Sequence, residues 1–204
     1  MILGITGSIA SGKSTVSAMF EARGAALVSA DQLARDAVRP GSATLALLVE
    51  RFGAEILEAS GELDRARLGA MIFADPAARQ DLNRIIHPAI ASLAEEQLSR
   101  LRCSGAPLVV YEAPLLFEAG AGDRVDRVLV VKVDPQVQLQ RLMRRDGLDA
   151  EAARQRIAAQ MPQAEKLARA DFIIDNSGSR NLTEDQVAAL WERLAATPAP
   201  QRKS

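Results

Sequence analysis

Five short stretches of near-continuous aliphatic sequence punctuate the chain, and helical periodicity fills the space between them. The stretches are Ile2–Thr6, Ala25–Ser29, Pro107–Glu112, Arg127–Val133 and Phe172–Asp175. Aliphatic runs that do not alternate with polar residues suit strands covered on both faces, which points to a parallel sheet. A helix is expected over Thr15–Ala22, with Gly24 stopping it before the second strand. From about residue 30 to 106 the pattern is helical throughout. Leu45, Leu48, Val49 and Phe52 recur at helical spacing, as do Leu82, Ile85, Ile86, Leu93 and Leu98. A break is expected at Pro88, since proline biases the preceding His87 away from helical geometry. A crossover between parallel strands needs far fewer residues, so 30–106 reads as an inserted helical subdomain. A second helical stretch, 135–169, is rich in Arg and Gln and opens on Pro135. The expected architecture is α/β. Its core, a five-stranded parallel sheet covered by helices, takes in 1–29, 107–134 and 170–196. Residues 197–204 are expected as a flexible tail.

In open parallel sheets, ligands bind beyond the C-terminal ends of the strands, so the residues after each strand carry the candidate chemistry. After the first strand comes Gly7-Ser8-Ile9-Ala10-Ser11-Gly12-Lys13-Ser14, which fits G-x-x-x-x-G-K-[ST]. Glycines let such a loop wrap a polyphosphate with its main-chain N–H groups turned inward, and the following helix N-terminus adds positive potential. Ala10, Ser11, Gly12, Lys13, Ser14 and Thr15 are the expected ATP contacts. Lys13, expected in a solvated loop, can reach the outer phosphates, and the Ser14 hydroxyl can ligate Mg²⁺.

Asp31 follows the second strand, where a carboxylate can take the proton of an attacking hydroxyl or merely cap a helix. Glu112 ends the third strand, where it can lie near Mg²⁺ or pair with a cation. Past the fourth strand, Gln138, Arg141, Arg144 and Arg145 fall on one helix. Arg141 and Arg145 share a face at i,i+4, either as stabilisers of a transferring phosphoryl group or as a solvated basic face. Asn176-Ser177-Gly178 follows the last strand and reads as a polar turn, with an adenine contact as the alternative. His87, the one histidine of the chain, has a structural role or a substrate contact open to it.

Composition removes several classes. Lys plus Arg total 25 against 26 for Asp plus Glu, so no overall basic field speaks for nucleic acid. Aromatics are 3%, too few for base-stacking platforms. Cys103 is a single cysteine and cannot form an internal disulfide. No apolar run approaches a membrane span, and the N-terminus opens on a core strand without a secretory pattern. The expectation is a cytoplasmic protein with no membrane or nucleic-acid partner, acting as a monomer. An Asn-Lys-x-Asp guanine motif is absent, which weighs against a GTP-dependent switch.

These pieces together resemble the dephospho-coenzyme A kinase family over residues 2 to about 195. Gly4–Thr15, Ala30-Asp31-Gln32-Leu33-Ala34-Arg35, Phe52–Leu57, Gly61–Leu68, Leu82-Asn83-Arg84-Ile85-Ile86-His87-Pro88 and Pro114-Leu115-Leu116-Phe117-Glu118 carry the resemblance. Gln138 through Arg145, Gln160, Ala170-Asp171 and Asn176 complete it. The resemblance implies a P-loop kinase with a helical substrate-binding insert at 30–106 and a lid at 135–169. It implies ATP and Mg²⁺, and transfer of the γ-phosphate to the ribose 3′-hydroxyl of dephospho-coenzyme A. Asp31 is then the base, with Lys13 and Arg141 or Arg145 as charge stabilisers. Asp31, Arg35, His87 and Glu118 become substrate contacts, Ser14 and Glu112 the metal side, and Asn176 an ATP contact. The chain departs from the family's Asp-Ala-Asp pattern at Ser29, which leaves Asp31 alone there. The alternatives are another nucleoside or nucleotide kinase, or a nucleotide-dependent switch.

Overall fold

A parallel sheet of order β2-β3-β1-β4-β5 organises the chain, in a computed structural model that describes residues 1–195. The expected tail at 197–204 lies outside the described residues. The strands are β1 (Ile2–Thr6), β2 (Ala26–Ser29), β3 (Val109–Glu112), β4 (Arg127–Lys132) and β5 (Phe172–Asp175). All five expected strands are present, trimmed by up to two residues at their ends. Both β1 and β3 are buried along their whole length, because helices cover the two faces of the sheet's middle. The edge strands β2 and β5 are only partly buried, which explains Ile173 at 52% exposure.

Clustering of contacts divides the chain into two compact units: Met1–Ser29 with the chain from Leu98 onward, and Ala30–Gln97. In the first unit, α1 (Lys13–Glu21) and α9 (Arg180–Ala195) flank the sheet. Val16, Phe20, Val187 and Leu190 meet Leu3, Ile5, Val110 and Leu129 in one apolar cluster. The 135–169 stretch forms α6 (Pro135–Asp146), α7 (Ala150–Ala158) and α8 (Gln163–Leu167) within this unit. Asp134 caps α6 by accepting from the N–H of Gln136 at 2.8 Å, and Pro135 takes the first turn as expected.

The second unit holds α2 (Ala30–Asp36), α3 (Ala43–Phe52), α4 (Arg65–Ala74) and most of α5 (Pro76–Arg102). Ser42 caps α3 through the Leu45 N–H at 3.1 Å, and Asp64 caps α4 through the Arg67 N–H at 2.9 Å. The expected break at Pro88 does not occur: α5 runs through it. Leu82, Ile85 and Ile86 before the proline, and Ala89, Ile90 and Leu93 after it, pack on the same cluster around Leu48, Phe52 and Ile56. Their spacing is one unbroken helical stripe. Burial on both sides of Pro88 offsets the ~3 kcal/mol that an interior proline costs. This second unit ends at Gln97, a boundary that falls inside α5 and so leaves no loop signal in the sequence.

Candidate active site

The phosphate loop is the span between β1 and α1, and its shape is held from several sides. Gly12 has φ +88, a left-handed conformation that glycine adopts without strain. A Cβ there would also run into Nδ2 of Asn176. That amide donates to the Ser11 carbonyl at 2.8 Å and accepts from the Thr183 hydroxyl at 2.8 Å. Asn176 is 7% exposed, and its side chain is spent on the loop's backbone and on Thr183. Ile9 is gripped on both backbone groups. Its N–H donates to Oε1 of Gln160 at 2.7 Å, and its carbonyl accepts from Nε2 of Gln138 at 2.8 Å. Ala10 has φ 59, the one positive value outside glycine among the described residues. Ser11 Oγ is buried with no hydrogen-bond partner among the described residues.

Lys13 opens α1 and folds back over the loop, donating from Nζ to the carbonyls of Gly7 at 3.1 Å and Ser8 at 3.0 Å. It is 9% exposed and not solvated as expected, because the ammonium is satisfied by the loop's own backbone. Beside it, Ser14 Oγ donates to Oε1 of Glu112 at 2.7 Å. Glu112 ends β3, in register with Ile5 of β1 and Ser29 of β2, and is 8% exposed. A hydroxyl and a carboxylate oxygen side by side suit Mg²⁺, which takes few protein ligands and keeps several waters. No group of three or more His, Cys, Asp or Glu able to hold a metal occurs among the described residues.

A cleft of about 440 Å³ is lined by Ala10, Gly12, Lys13, Ser14, Thr15 and, across from them, Arg141, Arg144 and Arg145 of α6. The expected loop residues and the arginine helix are therefore brought to one place. The three guanidiniums are not equivalent. Arg145 is held by Asp146, through Nε at 2.7 Å and a terminal nitrogen at 3.2 Å, and Asp146 also pairs with Arg156 at 2.9 Å. The hydrogen bond that Arg145 donates to Asp146 raises the Arg145 pKa further, and the same bond lowers that of Asp146. Arg141 is half-buried and, among the described residues, has no ion pair. Arg144 is exposed and likewise has no ion pair among them, so Arg141 and Arg144, unlike Arg145, have charge uncommitted to a carboxylate.

Glu118 is engaged by other side chains and backbone of the first unit. Its carboxylate pairs with Nζ of Lys166 at 2.7 Å and accepts from the Met161 N–H at 3.4 Å. Lys166 is fully buried and also donates to the Pro114 carbonyl at 3.2 Å, which the Thr6 hydroxyl shares at 3.2 Å. Glu118 is thus engaged inside the first unit as the partner of a buried lysine that sequence reasoning missed. Lys166 carried no signal, since only a tertiary fold can bury it. Gln138 and Gln160 were visible in the sequence, but without the role the structure gives them.

Asp31, Arg35 and His87 belong to the second unit and are exposed. Asp31 sits in the first turn of α2, just past Ser29. Its carboxylate makes no hydrogen bond or ion pair among the described residues, so the helix-capping alternative has no bond to rest on. His87 lies within a continuous helix, which removes the structural role at a helix break.

A glycine loop on a parallel α/β sheet, with Ser14–Glu112 on one side and an arginine helix on the other, defines a P-loop kinase. A dephospho-CoA kinase family model matches residues 1–181, and the chain belongs to that family. It is 60% identical to the dephospho-CoA kinase of Syntrophotalea carbinolica, over 95% of this chain and 92% of that protein. A Thermus thermophilus crystal structure superposes with a TM-score of 0.80 at 37% identity, covering 97% of this chain and 98% of the other. The dephospho-CoA kinase of Campylobacter jejuni superposes with a TM-score of 0.75 at 31% identity, covering 95% and 96%. Among the described residues no helix is long and apolar enough to cross a membrane.

Proposed function

We propose that this chain transfers the γ-phosphate of ATP to the ribose 3′-hydroxyl of dephospho-coenzyme A, giving coenzyme A and ADP. The observation that carries this reading is the cleft in which Lys13 and Ser14 face Arg141, within a chain of the dephospho-CoA kinase family. The loop's N–H groups and the N-terminus of α1 bind the β- and γ-phosphates. Lys13 exchanges its bonds to the Gly7 and Ser8 carbonyls for phosphate oxygens, so its ammonium is never left without acceptors. Arg141 neutralises the charge that spreads over the phosphoryl oxygens in transit.

Ser14 and Glu112, whose oxygens lie side by side, would hold Mg²⁺. The ion neutralises phosphate charge and orients the polyphosphate when bound. Asp31 accepts the proton of the ribose hydroxyl; an exposed carboxylate with no partner of its own is available for that. Arg35 and His87 contact the dephospho-coenzyme A, and α6 to α8 act as the lid that excludes water. Under the same reading the protein is a cytoplasmic monomer with no nucleic-acid partner.

Release of ADP is the test, measured with ATP, Mg²⁺ and dephospho-coenzyme A beside a panel of nucleosides, with the product's phosphate position read by NMR. Phosphate on the ribose 3′ oxygen is expected. Faster turnover on a free nucleoside overturns the reading.

A further inference from the structure

We propose that Gln138 and Gln160 are positioning residues that clamp the phosphate loop at Ile9 and so fix the arginine helix against it. The proposal rests on the kinase reading above and assigns it two residues that touch neither phosphate nor acceptor. Loop backbone groups have no ladder or helix to satisfy them, so an ordered loop needs partners from elsewhere. Ile9 has two, of opposite polarity: Gln160 accepts from its N–H at 2.7 Å, and Gln138 donates to its carbonyl at 2.8 Å. Each amide's orientation is dictated by chemistry, because an N–H can only donate and a carbonyl can only accept.

The residue after Ile9 is Ala10, held at φ 59. A non-glycine residue persists in the left-handed region only where its surroundings over-determine it. The clamp supplies that constraint at the peptide next door. Gln138 is 4% exposed, a burial that costs an amide unless it is hydrogen-bonded. An aliphatic side chain would fill the same space without that requirement, so packing alone does not account for glutamine. Gln138 also stands one turn before Arg141 on the same face of α6. Its bond to Ile9 therefore sets the distance from that guanidinium to the segment Ala10–Thr15. Gln160, past the end of α7, closes the clamp from the other side.

Substitution by methionine and by glutamate separates this role from packing and from charge. Methionine keeps the volume and removes both polar groups. Glutamate is an acceptor only: at 160 it preserves the bond from the Ile9 N–H, whereas at 138 it turns a carboxylate towards a carbonyl oxygen. The full-length Gln138→Met, Gln138→Glu, Gln160→Met and Gln160→Glu variants are compared with wild type, well below the lowest melting temperature. We measure kcat, KM for dephospho-coenzyme A, and ATP affinity from the melting shift with Mg²⁺-ATP. Loss of positioning lowers kcat of the methionine variants by about tenfold to a hundredfold, with KM for dephospho-coenzyme A unchanged. Gln160→Glu recovers turnover relative to Gln160→Met, and Gln138→Glu falls below Gln138→Met. Methionine variants within twofold of wild type overturn the clamp, as does glutamate that is equally harmful at both positions. A wild type that does not phosphorylate dephospho-coenzyme A overturns the kinase reading instead. The same order of variants, read in ATP affinity, then decides the clamp.

Discussion

Replacing Lys166 by methionine removes a fully buried ammonium and keeps most of its aliphatic stem. The ammonium lies 2.7 Å from a Glu118 oxygen and 3.2 Å from the Pro114 carbonyl. At an effective dielectric of about 20, a pair this close attracts by about 6 kcal/mol before desolvation is charged against it. Much of that gain is cancelled by taking the ammonium out of water, so the pair's net worth is far smaller. The variant does not simply forfeit this net worth, because it strands Glu118. Removing one member of a buried pair costs about 3–5 kcal/mol. Glu118 is 23% exposed and can recover some hydration, which lowers the expected loss to about 2–3 kcal/mol. The Pro114 carbonyl keeps the Thr6 hydroxyl and adds little to the loss. For a chain of this size each kcal/mol moves the midpoint by about 2–4 °C, so Tm falls by about 4–12 °C. Thermal unfolding followed by circular dichroism measures it. Adding Glu118→Gln to the variant removes the stranded charge and recovers part of the loss, a coupling that the double-mutant cycle reads directly. A Tm within 2 °C of wild type in Lys166→Met would refute the reasoning and reduce the pair to the worth of a surface contact.

Four more outcomes are expected. Arg141→Ala lowers kcat by about tenfold to a thousandfold, and Arg145→Ala by less, since Asp146 already holds Arg145; equal losses would show that Asp146 releases it. Asp31→Asn lowers turnover by about a hundredfold or more with Tm unchanged, because its carboxylate makes no bond that asparagine would lose; full activity would send the search for a base elsewhere. Lys13→Ala abolishes most turnover and also lowers Tm slightly, since its bonds to Gly7 and Ser8 are lost; near-normal turnover would remove the loop from the reaction. The hydrogen bond from Lys132, then that from Ser177, holds Asp175 below its ordinary pKa. The stability this contributes is present above the unfolded carboxylate value, about 4, and is lost as pH falls through the lower folded value. Asp175→Asn therefore lowers Tm at neutral pH and converges with wild type in strong acid. The effect is small and sensitive to salt, because both partners are 43% exposed; a constant difference down to pH 2 would contradict it.

The parts of this protein legible without a structure are those whose physics is local. The phosphate loop is a spacing along the chain: a strand delivers it, glycines shape it, and the helix that follows supplies Lys13 and Ser14. Strands buried on both faces are apolar along most of their length, so β1, β3 and β4 showed themselves as runs. The long helical gap after β2, longer than any crossover needs, marked the stretch that forms most of the second compact unit. Pro88 was misread for the same local reason. Its bias against helix is a property of two residues, whereas the stripe from Leu82 to Leu93 that overrides it is a property of packing. The end of the second unit at Gln97 had no mark, because α5 continues through it.

Tertiary structure decided which polar side chains meet. Burial of Lys166, its claim on Glu118, and the commitment of Asn176 to the Ser11 carbonyl all join residues far apart in the chain. Glutamine at 138 and 160 looks like any helix-surface glutamine until the fold sets both against Ile9. Among the three arginines that face the loop, spacing alone left Arg141 and Arg145 equal, and the Asp146 carboxylate divides them. Periodicity and motif spacing follow from backbone geometry, which repeats along the sequence. Hydrogen bonds and ion pairs between distant segments depend on distances that exist only once the sheet and its helices have assembled.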